Sequence, residues 1–138
     1  MSHVATIETE LYDIDALRRF LESDEIRSKG LILKQNSQIR YFYNDDTTTY
    51  DYVIYDTNGQ ADIGLRVNSD GKISIHGDWM YPSLFRNFNA APGNTKMLTK
   101  KLLQGQNEYI FRRWCQKKRY KIVQRITEDG KTIIEAQA

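Results

Sequence analysis

Residues 49–76 read TYDYVIYDTNGQADIGLRVNSDGKISIH and contain three short runs that are rich in β-branched and aromatic side chains. Such runs are typical of strands, and turn-forming pairs that contain glycine separate them at Asn58-Gly59 and Asp70-Gly71. Because connections this short join neighbouring antiparallel strands, the stretch predicts a meander. The predicted strands cover residues 49–56, 61–67 and 72–76.

Further strand and helix patterns precede the meander. Residues 3–11 alternate between polar and apolar side chains, which is typical of a strand. Asp13 is a favourable N-cap, and apolar residues at helical spacing predict an amphipathic helix over residues 14–25. We expect a strand pair over residues 30–34 and 38–43, which leads into the meander.

After the meander, the sequence predicts a long helix and a C-terminal hairpin. Residues 80–93 contain both prolines of the chain and indicate an irregular connection. Asn94 or Thr95 can cap the helix, and Gly105 is a weak point at which the helix could split. The hairpin is expected to turn at Glu128-Asp129-Gly130.

These elements follow the order β-α-β(meander)-α-β-β. The order predicts an α+β fold in which one antiparallel-rich sheet of about six or seven strands carries two helices on one face. The chain has 138 residues, which is the size of one domain, so we expect residues 1–138 to form a single domain.

Composition indicates a soluble intracellular protein. Apolar residues make up 40% and charged residues 28% of the chain, which is ordinary for a folded domain. No apolar run approaches the ~20 residues that span a bilayer, and the first residues lack the basic and apolar regions of a signal peptide. The single cysteine, Cys115, fits a reducing compartment. We therefore expect the cytoplasm, or the host cytoplasm if the protein is viral, and no membrane partner.

The sequence lacks the residue patterns that usually mark catalysis. It contains no Gly-rich phosphate loop and no Gly-x-Ser-x-Gly elbow, and one cysteine with two histidines is too few for a structural zinc site. Cys115 next to Trp114 is more typical of a packing residue than of a nucleophile, and His76 is interpreted as structural. We therefore expect no enzymatic activity, no cofactor and no metal, with an enzyme that uses Cys115 or His76 as the remaining alternative.

Charge is distributed unevenly along the chain. Residues 1–70 carry a net charge of −6, whereas residues 96–125 carry ten basic side chains and only one acidic one, Glu108, for a net charge of +9. A strongly basic segment favours an anionic ligand. The alternative is that the acidic and basic segments neutralise each other within the fold or between subunits.

The stretch from Arg112 to Lys121 combines cations with aromatic rings. Guanidinium groups bind phosphates in a bidentate manner, and Trp or Tyr rings can cover a base. This composition predicts a site for an anionic, nucleotide-like ligand, and the alternative is a solvated helix face with Trp114 in the core. The predicted ligand-binding residues are Arg112, Arg113, Trp114, Lys117, Lys118, Arg119, Trp79 and Tyr81.

Tyrosines crowd the region around the start of the meander. Their rings could stack on bases, but cross-strand packing on the sheet face away from the helices is the more favoured interpretation. If that face were apolar and left uncovered, self-association would be the natural way to hide it. A homo-oligomer is the assembly that we expect. The tyrosines concerned are Tyr41, Tyr43, Tyr50, Tyr52 and Tyr55.

Several short motifs follow one another along the chain: Met1-Ser2-His3, the Asp13-initiated helix, Asp62-Ile63-Gly64-Leu65-Arg66, Asp78-Trp79 and Glu128-Asp129-Gly130. In these motifs the chain resembles a family known only as the hypothetical chloroplast reading frame thirty-five family, a domain of unknown function with plastid, cyanobacterial, bacterial and phage members. The resemblance implies a small α+β domain of non-enzymatic character and supplies no catalytic residues. The family's Gln-Arg-Tyr-x-Tyr segment differs here, since residues 104–109 read QGQNEY.

Together these features predict a non-enzymatic binding protein for an anionic nucleotide-like ligand, which works as a homo-oligomer. Because the family it resembles has phage members, one version is a viral sponge that sequesters a cyclic-nucleotide immune signal. The alternative is a protein–protein interaction adaptor with no small-molecule ligand. We do not expect duplex DNA as a partner, because the sequence has no helix-turn-helix pattern.

Overall fold

A five-stranded antiparallel sheet and a separate two-stranded hairpin form the framework of the computed structural model, which describes residues 4–43, 47–128 and 131–138. The elements in chain order are β1 (Ala5–Glu8), α1 (Ile14–Leu21), α2 (Asp24–Arg27), β2 (Leu31–Ser37), β3 (Tyr50–Asp56), β4 (Ile63–Val67), β5 (Ile73–Gly77), α3 (Ser83–Arg86), α4 (Thr95–Lys118), β6 (Lys121–Glu128) and β7 (Lys131–Gln137). The strand order of the large sheet is β1-β5-β4-β3-β2, and among the described strands β6 pairs with β7 alone. The α+β class is therefore confirmed, but the strands form two sheets instead of one.

The predicted meander is the centre of the large sheet. Strands β3, β4 and β5 pair in sequence order, with Ile54 opposite Ile63 and Leu65 opposite Ile75. These side chains are buried in the main hydrophobic cluster together with apolar residues of α1 and α4. The first half of α4 thus covers the sheet, whereas its residues after Tyr109 lie outside that cluster.

Residues 38–43 do not form the predicted strand. Asn36 adopts a left-handed backbone conformation (φ 48°), which asparagine tolerates, and the chain leaves the ladder shortly afterwards. The segment then crosses the sheet face opposite the helices, where Ile39 and Tyr41 are buried against Tyr50 and Val53. Tyr41 and Tyr50 are therefore covered by the chain itself, as the packing interpretation predicts, whereas Tyr52 packs against the main cluster on the helix side and Tyr43 is half exposed.

An ion pair holds this crossing segment in place. The guanidinium of Arg40 binds both carboxylate oxygens of Asp62, with Nη2–Oδ1 and Nε–Oδ2 distances of 2.8 and 2.9 Å. It also donates to the carbonyls of Asp56 and Gly59. The Asp62 carboxylate is buried, and the hydrogen bond that Arg40 donates to it raises the pKa of Arg40. Asp62, one of the residues of the family resemblance, thus has a structural role.

The structure contains the predicted helix caps, but several elements have bounds that differ from the predicted ones. Asp13 Oδ1 accepts the backbone N–H of Ala16, and Asn94 Oδ1 accepts that of Met97, so both predicted caps are present. The predicted helix over residues 14–25 is two helices, because the backbone at Ser23 is extended. The short helix α3 lies in the connection that was expected to be irregular. Residues 1–3 and the Asp129-Gly130 turn lie outside the described residues.

Gly105 does not split α4, because the ring of Phe20 occupies the space beside it. A Cβ atom built on Gly105 would lie 2.2 Å from Cδ2 of Phe20. Helices α1 and α4 are therefore in contact at Gly105, where α4 has no side chain, and a larger residue at that position would push them apart.

Among the described residues, none of the helices has the length and apolar character that a membrane crossing requires.

Candidate functional site

The eight predicted ligand-binding residues do not come together in one place. The basic end of α4 lies near the start of β5. Arg113 of α4 contacts the N-terminus of α1, and the N–H of Ile73, at the start of β5, donates to the carbonyl of Leu11 close by. Trp79 follows the other end of the same strand, and its Nε1 donates to the carbonyl of Ala5 at 3.0 Å. Trp79 and Tyr81 are thus separated from the basic end of α4 by the length of β5.

Asp78 and Trp79 close the turn that follows β5. The Asp78 carbonyl accepts the N–H of Tyr81, and its Oδ1 accepts the N–H of Met80 at 3.2 Å. The Trp79 ring packs against Phe85 at a centroid distance of 6.0 Å. The Oδ2 atom of Asp78 is buried and has no hydrogen-bond partner in the described part of the chain. These contacts give the Asp-Trp pair a role in folding rather than in stacking on a base.

Arg113 is neutralised by the N-terminus of α1. Its guanidinium donates to both carboxylate oxygens of Asp13, with an Nη1–Oδ1 distance of 3.2 Å, and to Asp15 Oδ2 at 3.3 Å. The hydrogen bond from Arg113 holds the pKa of Asp13 below its ordinary value of 3.8, and the same contact raises the pKa of Arg113. Arg113 therefore joins two helices and is not available to an external phosphate.

This ion pair makes acid stability depend on Asp13. Because the folded pKa of Asp13 is lowered, its carboxylate stabilises the fold above the unfolded pKa, and this contribution is lost as the pH falls through the lowered value. Asp13→Asn keeps a capping oxygen but cannot ionise. We expect the variant to show a shallower loss of unfolding free energy than the parent protein between about pH 6 and pH 2.5, measured by urea denaturation.

The matched control for this experiment is Glu10→Gln, which removes an exposed carboxylate. It should leave the pH dependence of the unfolding free energy close to that of the parent protein. An Asp13→Asn variant with the same pH slope as the parent protein would contradict the assignment.

Glu108, the one acidic residue of the basic segment, neutralises two further arginines. Its side chain is 6% exposed and accepts from Arg112 Nε at 2.8 Å and from Arg125 Nη2 at 3.1 Å. Arg125 also donates to Glu25 of α2 at 2.9 Å. The hydrogen bond to Glu108 raises the pKa of Arg125. These ion pairs connect α4 to the hairpin and to α2, so Arg112 and Arg125 stabilise the fold.

The remaining cations form an exposed surface at the end of α4. The Trp114 side chain is 44% exposed, so it is not a core residue, and its ring contacts Tyr120 edge to face at a centroid distance of 5.1 Å. The neighbouring cations are exposed and make no side-chain hydrogen bond or ion pair to any other described residue. We define the α4-end surface as Trp114, Lys117, Lys118, Arg119, Tyr120 and Lys121.

The backbone that ends α4 is strained at Arg119. The N–H of Tyr120 donates to the carbonyl of Cys115 at 2.8 Å and that of Arg119 to Gln116 at 3.2 Å, which is the Schellman pattern of helix termination. Arg119 has a φ of 59°, a left-handed conformation that glycine usually supplies and that costs other residues about 1–2 kcal/mol. Strain of this kind at an exposed cationic residue favours a functional role for its side chain.

The α4-end surface is open, since all six of its residues are exposed. A groove of about 410 Å³ lies between α4 and β7, but none of the eight predicted residues lines it. The groove is lined by Gln104, Asn107, Glu108, Phe111, Lys131, Thr132 and Ile134. A ligand of the α4-end surface would therefore lie across the helix end and would not be enclosed.

The two side chains considered for catalysis are both buried. His76 places Nδ1 2.9 Å from Thr6 Oγ1 and Nε2 2.9 Å from Ser74 Oγ, and its ring lies 4.9 Å from that of Tyr50. Cys115 is buried in α4. Within the described residues, no group of three or more His, Cys, Asp or Glu side chains is arranged to hold a metal ion.

The fold and the site together describe an α+β protein with an open aromatic and cationic surface at one helix end. Comparison of the chain with protein-family models, curated proteins and solved structures gave no match. The family resemblance therefore stays a prediction.

Proposed function

We propose that this chain is a non-catalytic binding protein whose α4-end surface binds an anionic, base-bearing ligand. The observation that carries the proposal is the group of exposed cations without carboxylate partners among the described residues, next to the half-exposed ring of Trp114. Each cation can neutralise a phosphate, and the indole can stack on a base. Arg112, Arg113, Trp79 and Tyr81 are not part of the proposed site, because each has a partner within the fold.

The open shape of the surface favours an extended ligand over an enclosed one. A single nucleotide on an open helix end leaves most of its surface in water, whereas a single strand can contact several cations at once. The C-terminal end of a helix also carries a partial negative charge, so the phosphates must be held by side chains and not by helix amides. Single-stranded nucleic acid is therefore the ligand class that we propose. In the cyclic-nucleotide sponge version of the proposal, the same surface binds a compact ligand instead.

Binding of a fluorescein-labelled 12-nucleotide oligo(dT), followed by fluorescence anisotropy, tests the proposal. With four cations engaged, the logarithm of the association constant should fall with the logarithm of salt concentration with a slope of about −3. The double variant Lys117→Gln/Lys118→Gln should reduce that slope by about half. The control is Lys96→Gln/Lys100→Gln, which removes two exposed lysines from the other end of α4 and should leave the slope unchanged.

Two single variants distinguish the contributions of base stacking and of fold stability to binding affinity from the contribution of charge. Trp114→Ala should weaken binding about tenfold, since base–aromatic stacking contributes about 1–3 kcal/mol, whereas Trp79→Phe should have no effect. Arg119→Gly should raise the unfolding free energy by about 1 kcal/mol, because glycine relieves the left-handed strain, and should at the same time weaken binding. A stabilised variant that binds less well cannot be explained by unfolding.

The alternatives are outcomes of the same titration. If cyclic dinucleotides bind and oligo(dT) does not, the sponge version replaces the single-strand version. If a 12-residue poly-glutamate peptide binds as well as oligo(dT) and Trp114→Ala has no effect, the surface docks an acidic protein and the adaptor function applies. No binding of any of these probes at low salt would overturn the proposal.

A further inference from the structure

The C-terminal hairpin leaves one of its two faces without a partner among the residues that the structure describes. On the inner face, Arg125 contacts Glu108 of α4, and Thr132 and Ile134 line the groove beside α4. Lys131, the first residue of β7, also borders that groove, although its position in the alternation places it on the outer face. Side chains alternate between the faces of a strand, so the residues between these point outward. The exposure along β7 follows this rule, with positions 132, 134 and 136 half-buried and positions 131, 133, 135 and 137 exposed.

The outer face has an apolar centre. Ile126 and Ile133 are cross-strand partners there, and their side chains are 40% and 54% exposed. Val123, in the bulge of β6, is exposed as well. Two directly opposed isoleucines on a sheet face in water are unfavourable, and a two-stranded hairpin has little stability of its own.

Charged residues surround this centre in a self-complementary pattern. The pair Glu128–Lys131 lies on one side of the isoleucines along the strands, and the pair Gln124–Glu135 lies on the other side. When two such faces pack about a two-fold axis perpendicular to the strands, Lys131 of each copy meets Glu135 of the other. When the axis runs along the strands, Lys131 meets Glu128 of the second copy. Either arrangement stacks isoleucine on isoleucine and places each lysine against a carboxylate.

We propose that the outer face of the β6–β7 hairpin is a self-association surface and that its occupant is the same hairpin of a second copy of this chain. The face measures about 24 by 10 Å from strand geometry, far below the ~800 Å² per partner of a standard stable interface. The dimer should therefore be weak and should form as protein concentration rises. Of the α4-end surface, Lys121 alone lies on a strand of the hairpin, where it pairs with Gln137 at the end away from the turn. The other residues of that surface lie outside the hairpin strands, so each dimer would carry two such surfaces.

Sedimentation velocity of the full chain, over roughly 1–500 μM and without nucleic acid, tests the proposal. The expected result is a reversible shift from monomer to dimer. Ile133→Glu should raise the dissociation constant at least tenfold, because it places two carboxylates in the apolar centre. The matched control is Ile32→Glu on β2, where an isoleucine is 49% exposed outside the hairpin, and it should leave the dissociation constant unchanged. Both sites are exposed, so both variants should keep the parent melting temperature.

Charge reversal then determines the geometry. Lys131→Glu should weaken the dimer, and adding Glu135→Lys should restore it if the two-fold axis is perpendicular to the strands. Adding Glu128→Lys should restore it if the axis runs along the strands. A chain that stays monomeric throughout the range, or a dimer that Ile32→Glu disrupts and Ile133→Glu does not, would overturn the proposal.

Discussion

Gln106→Ala is expected to lower the unfolding free energy by about 3 kcal/mol. The Gln106 side chain is fully buried in α4, and its Oε1 accepts the backbone N–H groups of Tyr12 and Asp13, both at 2.9 Å. These two donors precede the first turn of α1, so a side chain of one helix satisfies the N-terminus of another. Removing the acceptor leaves both N–H groups without this partner at a partly buried helix end, and each such loss costs about 1–3 kcal/mol.

Gln106→Met separates these hydrogen bonds from packing. Methionine fills nearly the same volume but offers no comparable acceptor, so it should cost nearly as much as alanine. Urea denaturation gives the unfolding free energies, and hydrogen exchange should show faster exchange of the Tyr12 and Asp13 amides. A methionine variant within about 0.5 kcal/mol of the parent protein would show that the cap contributes little.

Gly105→Ala is expected to lower the unfolding free energy by about 2 kcal/mol, although alanine is the better helix former. The added Cβ would lie 2.2 Å from the Phe20 ring, and the ring is held in turn by its contact with Tyr109 at a centroid distance of 6.2 Å. Relieving the overlap requires the two helices to move apart, which costs more than the ~1 kcal/mol gained in helix propensity.

A double-mutant cycle with Phe20→Leu identifies the cause of this loss. In the leucine background the space beside Gly105 is larger, so Gly105→Ala should become neutral or stabilising. Lys100→Ala, at an exposed position of α4, controls for helix propensity and should change the unfolding free energy by less than about 0.5 kcal/mol. The same destabilisation in both backgrounds would exclude a clash with the Phe20 ring.

The meander and the helix caps could be predicted because their determinants are local. Strands β3 to β5 follow from β-branched runs separated by glycine turns, and Asp13 and Asn94 cap helices that begin at the next residue. The path of residues 38–43 could not be predicted in this way. Their alternation is typical of a strand. The segment instead crosses the sheet because Arg40 pairs with Asp62 and because Ile39 and Tyr41 are buried against the sheet face, and both contacts involve distant residues.

The candidate site was predicted in part, for the same reason. The exposed end of α4 is contiguous in the chain, so its cations and rings are visible as a pattern. The neutralisation of Arg113 by Asp13 joins residues 100 positions apart, and no local spacing indicates it. Trp79 and Trp114 look equivalent as rings, but only the packed structure shows that Trp79 closes a turn at the far end of β5.

The sequence by itself determined the α+β class, the antiparallel meander and the basic end of α4. Turns, helix caps and local charge depend on residues that are close together in the chain. The tertiary structure decided which arginines are already paired, that Gly105 and Gln106 join α4 to α1, and which face of the hairpin is left exposed. Those features depend on how separate elements pack, and distances between elements are set by side-chain volume and buried polar contacts across the whole core.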